Sequence, residues 1–174
     1  MLCPQRAAKR TLVMLPRHPI LLRMCGRFTY HLTWPQIVKL YQLALDQPAR
    51  NTQPRYNICP TTPIDTVIER DGRRELVPMR WGLVPSWWSK PLTELRAATF
   101  NARAETVAEK PMFREPFRRT RCLIPASGYY EWQDAPDGKQ PYYFTRRDGQ
   151  PITIAAFGMR GGTTKQARQS NHAQ

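Results

Sequence analysis

The chain reads as an α+β domain that is mainly β, with one or two helices. Three observations predict this. Seventeen prolines among 174 residues point to a loop-rich β architecture. The Asp-Gly pairs Asp71-Gly72 and Asp148-Gly149 lie beside apolar, β-branched runs and read as turns between strands. Apolar residues at helical spacing are clear over one segment, with a second short helix further on. At this length the chain makes a single domain, and its 41% apolar residues suffice for a core.

Taken in order, Cys25 to Tyr30 alternates as a short strand. Thr33 is an N-cap before Pro35, and Ile37, Leu40, Tyr41 and Ala44 fall on one face, so a helix is expected from about Trp34 to Leu45. A polar linker runs from there to Arg55. Pro63 to Glu69 and Arg74 to Trp81 form a hairpin across Asp71-Gly72. Thr99 to Asn101 and Arg121 to Ile124 read as strands, with a short helix from Glu105 to Met112 between them. Tyr129 to Gln133 pairs with Tyr142 to Arg146 across the turn-rich stretch 134–140. Ile152 to Phe157 is an apolar, β-branched run of the interior-strand type.

Both ends differ in character from this body. Residues 1–23 carry five Lys/Arg and no acid, but Pro16, Arg17 and His18 interrupt the apolar stretch and no small-residue cleavage site follows. They are expected to be a non-native or removed extension, with synthesis starting at Met24 and Cys25 left as the mature N-terminus. The domain is then 24–160. Residues 161–174 are polar without core formers and are expected to be a disordered tail on a C-terminally truncated or frameshifted domain.

The chain holds 27 Lys+Arg against 13 Asp+Glu, a formal +14. Without residues 1–23 the balance is 22 to 13, still +9. Such a surplus favours a polyanion, nucleic acid above all, the other reading being a solvated basic surface. No window approaches the apolar length of a membrane helix. Cys3, Cys25, Cys59 and Cys122 are widely spaced with no clustered His, which argues against a metal site and against a disulfide framework. No cofactor is expected. The thiols are expected to stay reduced in a cytosol, and one is free for chemistry.

Five segments carry chemistry: Met24-Cys25-Gly26-Arg27-Phe28, Arg55-Tyr56-Asn57-Ile58-Cys59-Pro60, Arg80-Trp81-Gly82-Leu83-Val84-Pro85-Ser86-Trp87-Trp88, Phe100-Asn101-Ala102-Arg103-Ala104-Glu105-Thr106, and Cys122 to Trp132. In this order they resemble the SRAP family of SOS response-associated peptidase-like, abasic-site processing proteins. The resemblance implies a compact β-rich domain of open, barrel-like sheets, and a monomer of the bacterial cytosol and nucleoid. It also implies a thiol-dependent peptidase (a hydrolase) that crosslinks to single-stranded DNA at abasic sites, with lyase activity, in DNA repair. The family's active-site roles carry over to Cys25, Asn101 and Glu131. Its remaining group, a histidine in a His-Asp-Arg-Met-Pro-like motif, has no match here; His18, His31 and His172 do not fit.

The residues support these roles on chemical grounds. An N-terminal Cys offers an α-amine and a thiol, both partly nucleophilic near neutral pH. A ring-opened abasic sugar is an aldehyde; the amine makes an imine and the thiol closes a five-membered thiazolidine. The bland reading of Cys25 is a small buried hydrophobe. Glu131, among Tyr129, Tyr130 and Trp132, suits acid/base work if the rings desolvate it; otherwise it is an exposed strand residue. Asn101 positions the sugar or the Cys25 amine, or merely caps a turn. Trp87 and Trp88 offer stacking faces to unpaired bases, or else one is core and the other a lid. Arg27, Arg80, Arg103 and Asn57 join them as DNA contacts, with Arg114, Arg118 and Arg119 as further phosphate ligands. Trp81 reads as core.

Two rivals accompany this reading. A cysteine peptidase acting on other proteins needs a His base, for which no good candidate is visible. An inactive single-stranded-DNA-binding remnant would bind in a salt-sensitive way without an adduct, and a fragment that never folds would melt without cooperativity.

Overall fold

The structure, a computed structural model, describes residues 25–95 and 98–158. The expected extension at 1–23 and the tail at 161–174 lie outside the described residues. Within them the chain forms two four-stranded antiparallel sheets and two short helices, the β-rich α+β fold expected. The strands are β1 (Arg27–Tyr30), β2 (Arg55–Ile58), β3 (Pro63–Arg70), β4 (Arg73–Arg80), β5 (Arg121–Ala126), β6 (Gly128–Ala135), β7 (Gly138–Phe144) and β8 (Ile152–Phe157). One sheet runs β2-β1-β6-β7 and the other β4-β3-β5-β8. Ser127 alone joins β5 to β6 and so carries the chain from one sheet to the other. That corner is pinned to β1: Ser127 N–H donates to Thr29 O at 2.8 Å, and His31 N–H donates to Ser127 Oγ at 3.0 Å.

The first helix, α1 (Trp34–Tyr41), follows Thr33, whose backbone N–H donates to Gln36 Oε1 at 2.9 Å. It buries Ile37 and Tyr41, one turn apart, against the core. It is four residues shorter than the spacing predicts. Gln42 takes a left-handed φ of 51° and ends the helix, and Leu43 then tucks into the core on its own. The β3–β4 hairpin turns on Asp71 (φ 52°) and Gly72 (φ 73°), the pair of positive φ values that a two-residue hairpin requires.

Four expectations need correction. Thr99 to Asn101 is a loop, because Thr99 O and Phe100 O serve Leu83 N–H and the Trp81 indole instead of a strand partner. Residues 104–113 make successive turns instead of a helix from Glu105 to Met112; Pro111 has no N–H to continue one. The second helix, α2 (Arg114–Arg119), starts only beyond it. Arg55 to Ile58, read as linker and motif, is an edge strand. Among the described residues β8 is also an edge strand, not an interior one.

The core lies between the sheets. Phe28, Tyr30, Ile58, Ile64, Val67, Leu76, Trp81, Ile124 and Ala126 form it with α1, and each large apolar side chain buried there contributes about 1.5–3 kcal/mol. A smaller cluster of Leu83, Val107 and Phe113 mounts the loops after β4 and the start of α2 against Phe157. Gly128 is required by a close approach: a Cβ there would sit 2.5 Å from Tyr143 Oη and 2.7 Å from Phe144 O. Tyr143 is held in place by Thr29, Oγ1 to Oη 2.6 Å. Gly128→Ala is therefore expected to destabilise the fold by about 1–3 kcal/mol. A denaturant titration checks this, and an unchanged midpoint would contradict the packing described.

Candidate active site

Cys25 stands two residues before the first residue of β1, half-buried against the main core. Its thiol donates to Arg27 O at 3.3 Å. Its carbonyl accepts a hydrogen bond from Asn101 Nδ2 at 2.8 Å, across 76 residues of chain. The Asn101 loop is itself fixed. Leu83 N–H donates to Thr99 O at 3.1 Å, and the Trp81 indole N–H donates to Phe100 O at 3.0 Å. Trp81 is core, as expected, edge-on to Phe28 at 5.0 Å and to Phe100 at 6.1 Å. A buried indole thus holds the loop from below while Asn101 reaches over to the backbone of Cys25.

Glu131 lies on β6 and is only 8% exposed. Burial pushes its carboxyl above the ordinary carboxylate range. The Cys25 thiol is also raised, first by burial and further by the nearby Glu131 charge, with the bond to Arg27 O partly offsetting both. Tyr129 shares the face of β6 on which Glu131 lies, and its ring stacks on Phe144 at 5.2 Å and 14°. Its phenol is raised by burial, then by Glu131 and Cys25. Three residues singled out from sequence therefore converge, and Tyr129 joins them. Only its place two residues before Glu131 on one strand marked it in advance.

This electrostatic setting has a chemical consequence. A thiol with a raised pKa is mostly protonated near neutrality, so its attack needs a base at hand. Glu131 is the carboxylate whose charge the Cys25 thiol senses.

The remaining candidates are distributed around this centre. Arg27 donates to Asn57 Oδ1 at 3.0 Å and lies 5.7 Å from the centre of the Trp132 ring. Arg80 is half-buried, donates to Gly82 O at 3.2 Å, and has no acidic partner. Gly82, at φ 132°, gives that guanidinium its room, since a Cβ there would meet Arg80 Nη1 at 2.7 Å. Arg103 is exposed. Trp87 is 66% exposed, while Trp88 beside it, rings 6.2 Å apart, is half-buried with its indole N–H covered. The pair thus splits into one offered face and one packed lid. Among the described residues, no hydrogen bond or ion pair ties Arg103 or the Trp87–Trp88 loop to Cys25.

Cys25, Cys59 and Cys122 are free thiols. Among the described residues, no three His, Cys, Asp or Glu side chains are grouped to hold a metal ion, and no helix is long and apolar enough to cross a membrane. The open clefts beside Arg73 and beside Tyr30 contain none of the candidate residues.

Residues 24–171 match the family described as SOS response associated peptidase (SRAP). The chain is 37% identical over 138 residues to "Abasic site processing protein YedK" of Escherichia coli, covering 78% of this chain and 60% of that one. It is 38% identical over 110 residues to "Abasic site processing protein YoaM" of Bacillus subtilis, covering 63% and 48%. With "Abasic site processing protein HMCES" of Rattus norvegicus it shares 33% over 143 residues, covering 69% and 40%. Crystal structures of proteins from Bordetella bronchiseptica and Bacteroides thetaiotaomicron each superpose with a TM-score of 0.63, at 25% and 30% identity. They match 75% of this chain and 62% and 58% of their own. The chain thus spans between 40% and 60% of the length of these three named relatives.

Proposed function

Because the chain belongs to the SOS response associated peptidase (SRAP) family, we propose that it processes abasic sites by forming a covalent adduct with single-stranded DNA through Cys25. The observation that supports this most is the grouping of a half-buried cysteine, an Asn101 amide on that cysteine's carbonyl, and a buried Glu131 with a raised pKa. In a chain beginning at Cys25, the α-amine adds to the aldehyde of the ring-opened sugar. Loss of water leaves an imine. The thiol then adds across the C=N bond, its proton passing to nitrogen, and a thiazolidine closes.

Glu131 serves both halves: protonated, it assists departure of the hydroxyl, and as carboxylate it takes up the thiol proton. Asn101 fixes the Cys25 carbonyl, and with it the direction in which the amine and thiol face. Trp87 offers a stacking face, and Arg27, Arg80, Arg103 and Asn57 offer contacts to the strand. Autoproteolytic exposure of Cys25 and a lyase-like strand cleavage belong to the same reading, as does a place in the cytosol, at the nucleoid, during the response to DNA damage. Among the described residues the cysteine-peptidase alternative finds no histidine beside Cys25: His31 is exposed and stacks on Tyr56, at the far end of β1 from Cys25.

The test is intact mass after incubation with a single-stranded oligonucleotide bearing one abasic site. A protein mass beginning at Cys25, raised by one oligonucleotide less water and stable to denaturation, is expected. No adduct on a chain beginning at Cys25 would overturn the proposal.

A further inference from the structure

We infer that Arg114, Arg118 and Arg121, on α2 and the start of β5, form a second phosphate track that binds the DNA strand away from Cys25. This rests on the reading of the chain as a single-stranded-DNA protein. All 13 Asp and Glu lie among the described residues, so the Asp and Glu partners of the described arginines can be assigned. Arg50 pairs with Asp65, Arg70 with Glu75, Arg73 with Asp46 and Arg146 with Asp148. On α2, Glu115 takes Arg119 at 3.1 Å. Arg114, Arg118 and Arg121 are exposed and, among the described residues, have no acidic partner within 4 Å, although Glu109 and Glu115 lie close in sequence.

Their mount is packed against a cluster that reaches the Asn101 loop. Arg114 follows Phe113, which packs with Leu83 and Val107. Leu83 opens the loop bearing Trp87, and Ala102, next to Asn101, joins the same cluster. Phe117, itself part-exposed, packs edge-on to Phe157 and sits in sequence between the arginines. Arg114 and Arg118 are one helical turn apart on one face, about 6 Å, close to the separation of neighbouring phosphates along a strand. From Ala126, beside the Ser127 corner, β5 extends roughly 17 Å to Arg121. A strand that engages both Cys25 and the track must be longer than one that engages Cys25 alone.

The track predicts a length-dependent, salt-dependent gain in affinity. Binding of undamaged single strands of about 6 and about 20 nucleotides is measured over a range of salt, spanning the site sizes usual for such proteins. For the full chain carrying Arg114→Gln and Arg118→Gln, the long strand should bind several-fold more weakly at low salt. Its slope of log K against log salt should fall by about 0.7 for each lost contact, with the short strand little changed. Arg73→Gln with Arg146→Gln removes the same formal charge from ion-paired positions and should leave the slope as it was. The inference is overturned if the long strand gains nothing over the short one, if the first variant binds like the parent, or if the control loses as much. Adduct formation with an abasic strand is read separately, so failure of the Cys25 chemistry and failure of the track give different results.

Discussion

A chain carrying Cys25→Ala is expected to yield no denaturation-stable adduct with abasic single-stranded DNA, while still binding the strand. The expectation follows from the site's chemistry: no other residue can present an α-amine and a thiol on one carbon skeleton. Alanine at this half-buried position removes one sulfur atom and leaves the Asn101 bond to the backbone carbonyl available, so the fold should persist. Cys25→Ser sharpens the result. Serine keeps the amine and should stop at an imine, trapped only when borohydride is added. A stable adduct in either variant without reductant would sink the thiazolidine mechanism. A cooperative melt on both samples separates lost chemistry from lost structure.

Glu131→Gln should act in opposite directions on rate and on stability. Removing a positioned general acid/base lowers such rates by about 10²–10⁴-fold, and the acid-side inflection of the pH–rate profile should disappear with it. Stability follows from the direction of the pKa shift. The folded state holds the Glu131 proton more tightly than the unfolded chain does, because burial disfavours the carboxylate. Its contribution is therefore fully present below the ordinary carboxyl pKa and is lost as pH rises through the raised value. Above that raised value the folded protein carries a desolvated carboxylate that glutamine does not impose. Glu131→Gln is expected to melt at or above the parent temperature at neutral pH and to lose that advantage in acid. A variant that is slow and also less stable at neutral pH would assign Glu131 a structural role instead.

Much of the sheet framework was legible in the sequence because strand signals there are local. Alternation at Phe28 and Tyr30, the Asp71-Gly72 turn and the β-branched run at 152–157 each specify an element without reference to the rest of the chain. The misread segments are those where tertiary demands decide. Thr99 to Asn101 has strand-like residues, but its carbonyls are claimed by Leu83 and Trp81. Arg55 to Ile58 alternates polar and apolar residues but over only four positions, and as an edge strand it buries only Ile58. The stretch 105–112 has helix-forming residues, but Pro111 lacks the N–H needed to carry a helix through.

The candidate site divides in the same way. Cys25, Asn101 and Glu131 are spread over more than a hundred residues, and only their family-like motifs linked them in advance. That Asn101 binds the Cys25 carbonyl, that Trp81 supports the Asn101 loop, and that Tyr129 completes the group depend on contacts between segments distant in sequence, which no single segment encodes.

The Tyr143 ring resting on Gly128 has a consequence for how this sequence can drift. Position 128 can gain a side chain only if position 143 gives up its phenol and the Phe144 carbonyl also shifts, and Thr29 then loses the hydroxyl it bonds. Because 128 begins β6, the strand bearing Glu131, each step on the way would disturb the reacting centre before a compensating change arrived. Residues 29, 128 and 143 are therefore expected to substitute as a linked set across homologues, with intermediates rare, so that an otherwise distant triad becomes visible as covariation.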